Sequence, residues 1–390
     1  MTERASVDLA IVGGGVVGLC LAYEAARTGQ TVALLERRAD FAQATSANWF
    51  RILHGGLRYL QSLDLVRHRE SVEARREWLR DFPDLVEPLP CLMLLTGRGL
   101  KRPALFRAAF AMDAALASWR NRGIRPDRHL PRGRILSVGE TRDLLPCLQA
   151  PGLQGAARWT DAVAKDAARL TAALAARARA AGAELRPSHP VQEILVEHGK
   201  VHGVRLANGE TVRAETVVTT TGPWTDLTLA HLPSVRRRDL FRPSLAFNLV
   251  LDRPAPFEGA LAVQARRPNA PVLFVYPLQG RTFAGTWHAP WIGAPDAPQP
   301  PERDLLAFID DLADALPWLD LDLDAVQAVH AGLLPVGAAG STELTNRPLL
   351  VDHGAEGGPS GLYSAAAIKF TTAPQLARKL LASLPRSQAR

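Results

Sequence analysis

The residues best suited to chemistry lie near the start of the chain, where three glycines are spaced to receive a phosphate group. Gly13, Gly15 and Gly18 follow the apolar run VDLAIV and satisfy the pattern G-x-G-x-x-G. Glycine at these positions permits a tight turn, a close approach of the backbone to a pyrophosphate, and close packing of helix against strand. The helix that follows would offer free N–H groups and a positive dipole end to the phosphates. The pattern therefore predicts a dinucleotide-binding site.

An acidic residue completes this pattern at the end of the next apolar run, TVALLE. Glu36 stands about 20 residues after the glycines, where a carboxylate can accept hydrogen bonds from ribose hydroxyls. The same carboxylate would repel a 2′-phosphate, so the pattern argues against NADP. These residues alone leave FAD and NAD open.

The elements that must position these residues alternate between helix-like and strand-like patterns. Hairpin turns at 198–199 and 208–209 fall within a run of short strands. Proline breaks occur at Pro83, Pro88 and Pro90. Helical patterns cover 48–82, 103–122, 161–181, 301–319 and the last residues to 384; further strand-like runs lie within 243–286, and loops at 37–48 and 290–301. This order predicts an α/β fold in which a dinucleotide-binding domain is interleaved with a strand-rich second domain.

Composition narrows the class of protein. The formal net charge of +7 suits an anionic substrate, an acidic membrane surface or nucleic acid, although arginine-rich usage in a GC-rich genome would also produce it. No recognisable nucleic-acid-binding module is present, so nucleic acid is discounted. Neither a spanning apolar run nor a secretory signal is evident, and a cytoplasmic location is expected. Cys20, Cys91 and Cys147 lie far apart, so neither a metal site nor a disulfide framework is expected.

Longer segments carry a resemblance to a known family. They are ATSANWFRILHGGLRYL at 44–60, RWTDAVAKDAARL at 158–170, TTTGPWTDL at 219–227, VLFVYPLQGRTFAGT at 272–286, HAGLLPV at 330–336 and IKFTTAPQLARKLL at 368–381. With the glycine pattern, they resemble the FAD-dependent glycerol-3-phosphate dehydrogenase family of the D-amino-acid oxidase and glycine oxidase (DAO) flavoprotein superfamily. The HGGLRYL segment is the most specific. The resemblance implies that FAD is the cofactor.

The resemblance also implies a domain organisation. A Rossmann-like FAD-binding domain would be interleaved with an antiparallel-sheet α+β substrate domain, as in the DAO and glutathione-reductase-like folds. The FAD-binding domain would take 1–85, 150–225 and 326–384; the substrate domain would take 86–149 and 226–325; and 385–390 would form a disordered tail.

The resemblance further implies which residues surround FAD. Beside the glycines, Glu36 and Arg37, the flavin would be lined by Thr45, Ser46, His54, Gly55, Gly56 and Leu57. The backbone of the strand containing Val191 would meet the adenine, and Gly222 and Trp224 would pack beside the dinucleotide. The pyrimidine end of the flavin ring would meet Lys369, Phe370 and Thr371.

Three departures from the family pattern fall on the expected substrate pocket. Leu334 stands where the family usually has an arginine that grips the substrate's phosphate. Trp287 and His288 replace polar residues in the family's GTTD segment, and Ala367 and Ile368 replace two glycines. We therefore expect that the scaffold and the cofactor are kept, that the substrate site is rebuilt, and that glycerol 3-phosphate is not the substrate.

His54 is the first candidate for a catalytic base, since hydride removal from an alcohol requires a group that takes the hydroxyl proton. Alternatively, His54 only hydrogen-bonds the flavin or the backbone, or it carries covalently attached FAD. Lys369 would stabilise negative charge on the reduced flavin, unless it is a solvated lysine. The candidate substrate contacts, each with the alternative of an ordinary structural or surface role, are Arg58, His288, His330 and Arg347; of these, Arg58 and His288 are also candidate catalytic residues.

By this resemblance the chain is an FAD-dependent dehydrogenase or oxidase that removes a hydride from a CH–OH carbon of a small polar substrate. The alternatives are an amine or amino-acid oxidase acting on CH–NH and a flavin-binding protein without turnover. Oxygen, a quinone or a soluble carrier would accept the electrons. Apolar residues with flanking arginines at 102–125 could lie on the inner membrane face, unless they form an ordinary core-facing helix.

Overall fold

The computed structural model describes residues 6–97, 99, 101–146, 151–236 and 239–385. The strands within these ranges are β1 (Val7–Val12), β2 (Val32–Leu35), β3 (Ile52–Leu53), β4 (Val86–Leu94), β5 (Arg134–Leu136), β6 (Ala156–Ala164), β7 (Glu184–Arg186), β8 (Val191–Glu197), β9 (Lys200–Leu206), β10 (Thr211–Thr219), β11 (Pro243–Leu251), β12 (Ala260–Val263), β13 (Leu273–Leu278), β14 (Arg281–Pro290), β15 (Val326–Pro335), β16 (Leu349–Asp352) and β17 (Leu362–Ala366). The helices are α1 (Val16–Ala26), α2 (Leu65–Asp81), α3 (Pro103–Leu116), α4 (Val138–Leu144), α5 (Ala167–Ala180), α6 (Thr225–Leu229), α7 (Glu302–Ala315) and α8 (Ala373–Ser383). Cys147 and residues 386–390 of the predicted tail lie outside the described residues.

The first sheet is built around β1, in the order β16-β17-β10-β1-β2-β7. β17, β10, β1, β2 and β7 run parallel, and β8 and β9 continue from β10 as antiparallel hairpins. β1 is apolar because both of its faces are covered. Leu9 and Ile11 join the core formed with α1, α5 and α8, whereas Ala10 and Val12 pack with residues of β8, β9 and β10. Because parallel strands end at one edge, the residues that follow β1, β2 and β10 meet there.

The second sheet is mostly antiparallel, in the order β15-β11-β14-β13-β12-β4-β6-β3, with β5 paired to β6. One face is covered by α7, whose Phe308 and Leu312 pack with Leu245, Phe247 and Leu249 of β11. Successive residues of a strand project to opposite faces. Ala246 and Asn248, which alternate with Leu245, Phe247 and Leu249 along β11, therefore lie on the other face, where they can contribute to a site.

The prediction of a helix over 161–181 is wrong at its start. Ala156–Ala164 forms β6, which pairs with β4, β3 and β5, and the helix begins only at Ala167 after Asp166 caps it. Alanine favours helices in isolation. Here small side chains suit a buried strand, and tertiary pairing overrides the local preference.

The helical pattern over 48–82 is also only partly right. α2 starts at Leu65, where the Asp64 carboxylate accepts a hydrogen bond from the Arg67 N–H. The preceding residues form β3, a loop and a 3₁₀ turn. Pro88 and Pro90, read as breaks, lie in β4, whose second neighbour β12 pairs only from Cys91 onward. Before Cys91, β4 pairs with β6 on one side only. The N–H that each proline lacks therefore does not remove a hydrogen bond to a second strand.

The segment considered for membrane contact contains α3. Phe106 and Phe110 pack against Leu95 beneath the helix, while Leu105 and Leu116 are exposed. Among the described residues, no helix has the length and apolar character needed to cross a bilayer.

The two sheets share segments of chain that the domain prediction kept apart. β3, β6 and β15 lie within the segments assigned to the FAD-binding domain, yet they are strands of the second sheet. The predicted domain boundaries stay a prediction.

Candidate functional site

A cleft of about 380 Å³ opens at the edge where β1, β2 and β10 end. It brings together nine of the residues that the sequence assigned to the dinucleotide: Gly13, Gly15, Glu36, Arg37, Thr45, Ser46, Val191, Gly222 and Trp224. Thr220, Thr221 and Asp296 also line it. We call this site the cleft.

Two glycines of the G-x-G-x-x-G pattern, Gly13 and Gly18, have steric reasons for lacking side chains. Gly13 has φ of 105°, and a Cβ there would lie 3.0 Å from the Thr220 backbone. A Cβ on Gly18 would lie 2.1 Å from the Gly13 carbonyl oxygen, so α1 can approach β1 only with glycine. Gly15 is the N-cap residue of α1 and has no side chain that could cap the helix. A Cβ on Gly15 would meet only the Ser46 Oγ, at 3.4 Å, so the space before the helix N-terminus is open. This cradle fits a pyrophosphate.

The Glu36 carboxylate is held in place inside the cleft. It accepts hydrogen bonds from the Gly14 N–H at 2.7 Å and the Arg38 N–H at 2.9 Å, one on each oxygen. Each carboxylate oxygen retains acceptor capacity for a ribose hydroxyl. The cleft therefore fits the adenosine diphosphate half of a dinucleotide.

A contact that the sequence did not predict lies at the rim of the cleft. The Arg37 guanidinium stacks 4.5 Å from the centre of the Trp224 ring. Asp296 accepts hydrogen bonds from Arg37 at 2.7 Å and from the Trp224 Nε1–H at 3.1 Å. Asp296 lies in residues 291–301, the proline-rich connection between β14 and α7, which we call the strap. The sequence identified this stretch only as a loop.

A second group of charges surrounds the buried ring of Tyr59. Tyr59 directly follows Arg58 in the sequence but was not among the predicted site residues. The Lys369 ammonium and the Arg67 guanidinium each lie 4.7 Å from the ring centre, and the Arg58 guanidinium lies 5.1 Å from it. Lys369 also donates a hydrogen bond to the Tyr59 hydroxyl. We call Arg58, Arg67, Lys369 and Tyr59 the cation cluster.

The charged side chains of the cation cluster shift the pKa values of Tyr59 and Lys369. Burial alone would raise the pKa of the Tyr59 hydroxyl, but the charges and hydrogen bonds of Lys369 and then Arg58 together outweigh it, and the pKa is lowered. Burial, followed by the charge of Arg58, lowers the pKa of Lys369, against the opposing effect of Tyr59. Such mutual repulsion among cations is relieved by an anion. The cation cluster is therefore suited to bind an anionic group.

His54 lies on a different contact, beside the buried Asp161 of β6. Its Nδ1 is 3.0 Å from Asp161 Oδ2, and its ring lies 5.3 Å from that of Phe274. The Gly55 N–H and the Arg75 guanidinium also donate to Asp161, at 2.7 Å and 2.8 Å. Asp161 was inside a resembling segment but was not among the predicted site residues.

His288 and His330 both lie on the face of the second sheet that α7 does not cover. In the antiparallel register, His288 is opposite Ala246 and His330 is opposite Asn248. Burial, followed by the charge of Arg58, lowers the pKa of His288 to about 4. Burial, followed by the charge of Arg51, also lowers the pKa of His330. Both rings are therefore neutral near pH 7, and they can hydrogen-bond a substrate but not neutralise its charge.

Several predicted flavin contacts have packing roles. A Cβ on Gly55 would lie 2.2 Å from Arg75, and Gly56 has φ of 78°. Phe370 stacks parallel to Trp49 at 4.0 Å, and the Thr371 carbonyl accepts from Trp78 Nε1 at 2.9 Å. These residues do not line the cleft.

The remaining predicted contacts are also outside the cleft. Leu57 packs beside Phe106. Arg347 is exposed, although its neighbour Asn346 accepts a hydrogen bond from Arg67 at 2.7 Å. Among the described residues, no three His, Cys, Asp or Glu side chains group as a metal site.

The sequence is similar to a described family and to curated proteins. The DAO family profile, described as FAD dependent oxidoreductase, matches residues 8–384. The chain is 33% identical over 374 residues to glycerol-3-phosphate dehydrogenase of Mycobacterium leprae, covering 94% of this chain and 60% of the relative. It is 30% identical over 346 residues to alpha-glycerophosphate oxidase of Streptococcus pyogenes serotype M1, covering 86% and 55%.

Solved structures share the fold. The glycerol-3-phosphate dehydrogenase from Bacillus halodurans complexed with FAD superposes with a TM-score of 0.73 at 21% identity, covering 98% of this chain and 64% of that chain. Glycine oxidase from Geobacillus kaustophilus gives a TM-score of 0.68 at 22% identity, covering 98% and 95%. At these identities the likeness establishes the interleaved two-sheet fold. The chain spans about 60% of the length of the first curated relative.

Proposed function

The chain belongs to the DAO family of FAD-dependent oxidoreductases, and we propose that it removes a hydride from the CH–OH carbon of a small anionic alcohol. The glycine cradle and Glu36 would hold the adenosine diphosphate half of FAD in the cleft. When bound, FAD supplies the acceptor for the hydride. The final electron acceptor would be oxygen, a quinone or a soluble carrier.

The cation cluster is the observation that carries this proposal. Three positive side chains surround the buried ring of Tyr59. Of these, Arg67 is paired with the Asp64 carboxylate, and Arg58 is exposed. A phosphate or carboxylate would relieve their repulsion and accept charge-assisted hydrogen bonds. Leu334 offers no charge, so position 334 would not help the cation cluster to hold the anion. The cation cluster therefore favours a pocket that is rebuilt at position 334 but still prefers an anionic substrate, as the family's pocket does.

His54 would take the hydroxyl proton of the alcohol. The C–H bond breaks with its electron pair, the O–H proton passes to the free ring nitrogen of His54, and a C=O bond forms. Histidine suits this transfer because it titrates near neutral pH. His288 and His330, both neutral, could orient the hydroxyl.

The names of the curated relatives make glycerol 3-phosphate the first substrate to try. With FAD-loaded protein under anaerobic conditions, we expect flavin bleaching with this compound or another anionic alcohol, and much weaker bleaching with uncharged glycerol. Arg58→Gln should raise the concentration for half-maximal bleaching by an anionic alcohol about tenfold or more, the cost of a charge-assisted contact. Arg107→Gln on the exposed side of α3 is the matched control.

Two other results would replace the proposal. Bleaching by amino acids with release of ammonia would mean that the chain oxidises CH–NH bonds. FAD that binds but is bleached by no donor of either class would mean a flavin-binding protein without turnover.

A further inference from the structure

The contact between His54 and Asp161 has the geometry of a positioned base. Asp161 is only 3% exposed, and four nitrogen atoms converge on its carboxylate. Oδ2 lies 3.0 Å from His54 Nδ1 and 3.1 Å from the Trp159 Nε1, while Oδ1 lies 2.7 Å from the Gly55 nitrogen and 2.8 Å from an Arg75 nitrogen. Each oxygen is therefore used twice.

The state of this carboxylate determines where the proton of His54 sits. Burial alone would raise the pKa of Asp161, but the hydrogen bond and charge of His54, and then the charge of Arg75, hold it far below the usual range. An ionised carboxylate only accepts hydrogen bonds. His54 Nδ1 must then carry its proton, and the lone pair of the neutral ring lies on Nε2.

Arg75 explains why the arrangement is stable. Its side chain is 4% exposed, and it pairs with Asp161 at 2.8 Å while also donating to the Thr160 carbonyl at 2.8 Å. The buried negative charge thus has a permanent partner on α2, whether or not His54 is charged. Asp161 can therefore orient the His54 imidazole whether that ring is neutral or protonated.

We infer that Asp161 is a positioning residue that fixes His54 in the Nδ1–H tautomer and so directs its Nε2 lone pair away from β6 for proton transfer. This inference rests on the proposed function for its catalytic consequence, whereas the tautomer itself does not. The chemistry is the one by which a buried carboxylate orients a catalytic imidazole in other enzyme classes.

Asp161→Asn makes a distinctive prediction. Arg75 and the Gly55 N–H should retain the amide oxygen, since a charged donor holds an acceptor most strongly. The amide NH₂ then faces His54 Nδ1, which must accept. His54 would carry its proton on Nε2 and lose the lone pair that receives the substrate's proton.

The test is nitrogen-15 histidine NMR of the FAD-loaded protein without substrate, with the His54 signals assigned from a His54→Gln variant. Wild type should show Nδ1 protonated and Nε2 unprotonated above the titration of the ring. Asp161→Asn should show the reverse. With a donor that bleaches the wild type, the variant's bleaching rate should fall about 100-fold or more. Asp143→Asn, on the exposed face of α4, should match wild type in both measurements.

Two results would overturn the inference: an Nε2–H tautomer in the wild type, or a tautomer that switches in Asp161→Asn without a loss of bleaching rate. The wild-type spectrum decides the first point even if the variant does not fold. If no alcohol bleaches the wild type, the proposed function fails. The tautomer, read without substrate, still decides whether Asp161 orients His54.

Discussion

Among single residues, Lys369 shows how the surroundings of a side chain set the conditions in which it can act. Burial and the nearby Arg58 lower its pKa, so its ammonium loses its proton at a lower pH than a free lysine does. A lysine with a lowered pKa is charged below that pKa and neutral above it. The anion affinity that we propose for Lys369 should therefore weaken as the pH rises.

We predict that KM for an anionic alcohol rises over the alkaline pH range below the ordinary titration of lysine at about pH 10.4. Lys369→Arg should move this rise to higher pH, because a guanidinium stays charged throughout the range. Steady-state kinetics of the two proteins across this range test it. A KM that does not change with pH, or that changes equally in Lys369→Arg, would contradict the role of Lys369.

Residue patterns in the sequence identified the glycines and Glu36 because their spacing reflects local geometry around one turn. They did not identify Asp161 or Asp296. Asp161 is 107 positions from His54, and Asp296 is 259 positions from Arg37. Such partners come together only through pairing of distant strands and loops, which one sequence does not display. Tyr59 was missed for the same reason, since its role depends on a lysine 310 positions away.

At the scale of elements, the strap joins the second sheet to the rim of the cleft. Its Asp296 holds Arg37, which follows β2, and Trp224, which precedes α6. Arg37 and Trp224 line the cleft that would hold the adenosine diphosphate half of FAD. The strap is therefore placed to slow the release of a bound dinucleotide.

We predict that Asp296→Ala speeds FAD dissociation about fivefold, which corresponds to about 1 kcal/mol for an ion pair between partly exposed side chains. The matched control is Asp310→Ala on the exposed side of α7, which should leave the rate unchanged. The rate can be followed by the fluorescence of released FAD after dilution. Equal rates in wild type and Asp296→Ala would mean that the strap does not retain the cofactor.

Secondary structure was predictable where one pattern dominated locally. The hairpins at 198–199 and 208–209 and the amphipathic α7 are of this kind, and they are confirmed. β6 was missed because alanine-rich sequence favours a helix. β4 was missed because Pro88 and Pro90 indicate a break, unless the strand lacks a second neighbour there.

At the scale of the whole molecule, one segment connects the cleft to the second sheet. Ser46 Oγ accepts a hydrogen bond from the Val16 N–H at the start of α1. The Leu333 N–H of β15 donates to Thr45 Oγ1 at 3.2 Å, and the Asn48 carbonyl accepts from Asn248 of β11 at 3.0 Å. A dinucleotide that contacts Thr45 and Ser46 would therefore contact a segment that is hydrogen-bonded to α1 beside the first sheet and to strands of the second sheet.

Binding of FAD in the cleft can be measured by an absorbance titration of the apoprotein with FAD. Gly18→Ala would place a Cβ 2.1 Å from the Gly13 carbonyl oxygen, whereas Gly139→Ala in α4 meets nothing closer than 3.9 Å. We predict that wild type and Gly139→Ala each bind one FAD per chain, with the visible bands of protein-bound flavin, and that Gly18→Ala binds it far more weakly. A wild-type protein that binds no FAD, or a Gly18→Ala variant that binds it equally well, would show that the glycine cradle of the cleft is not the FAD site.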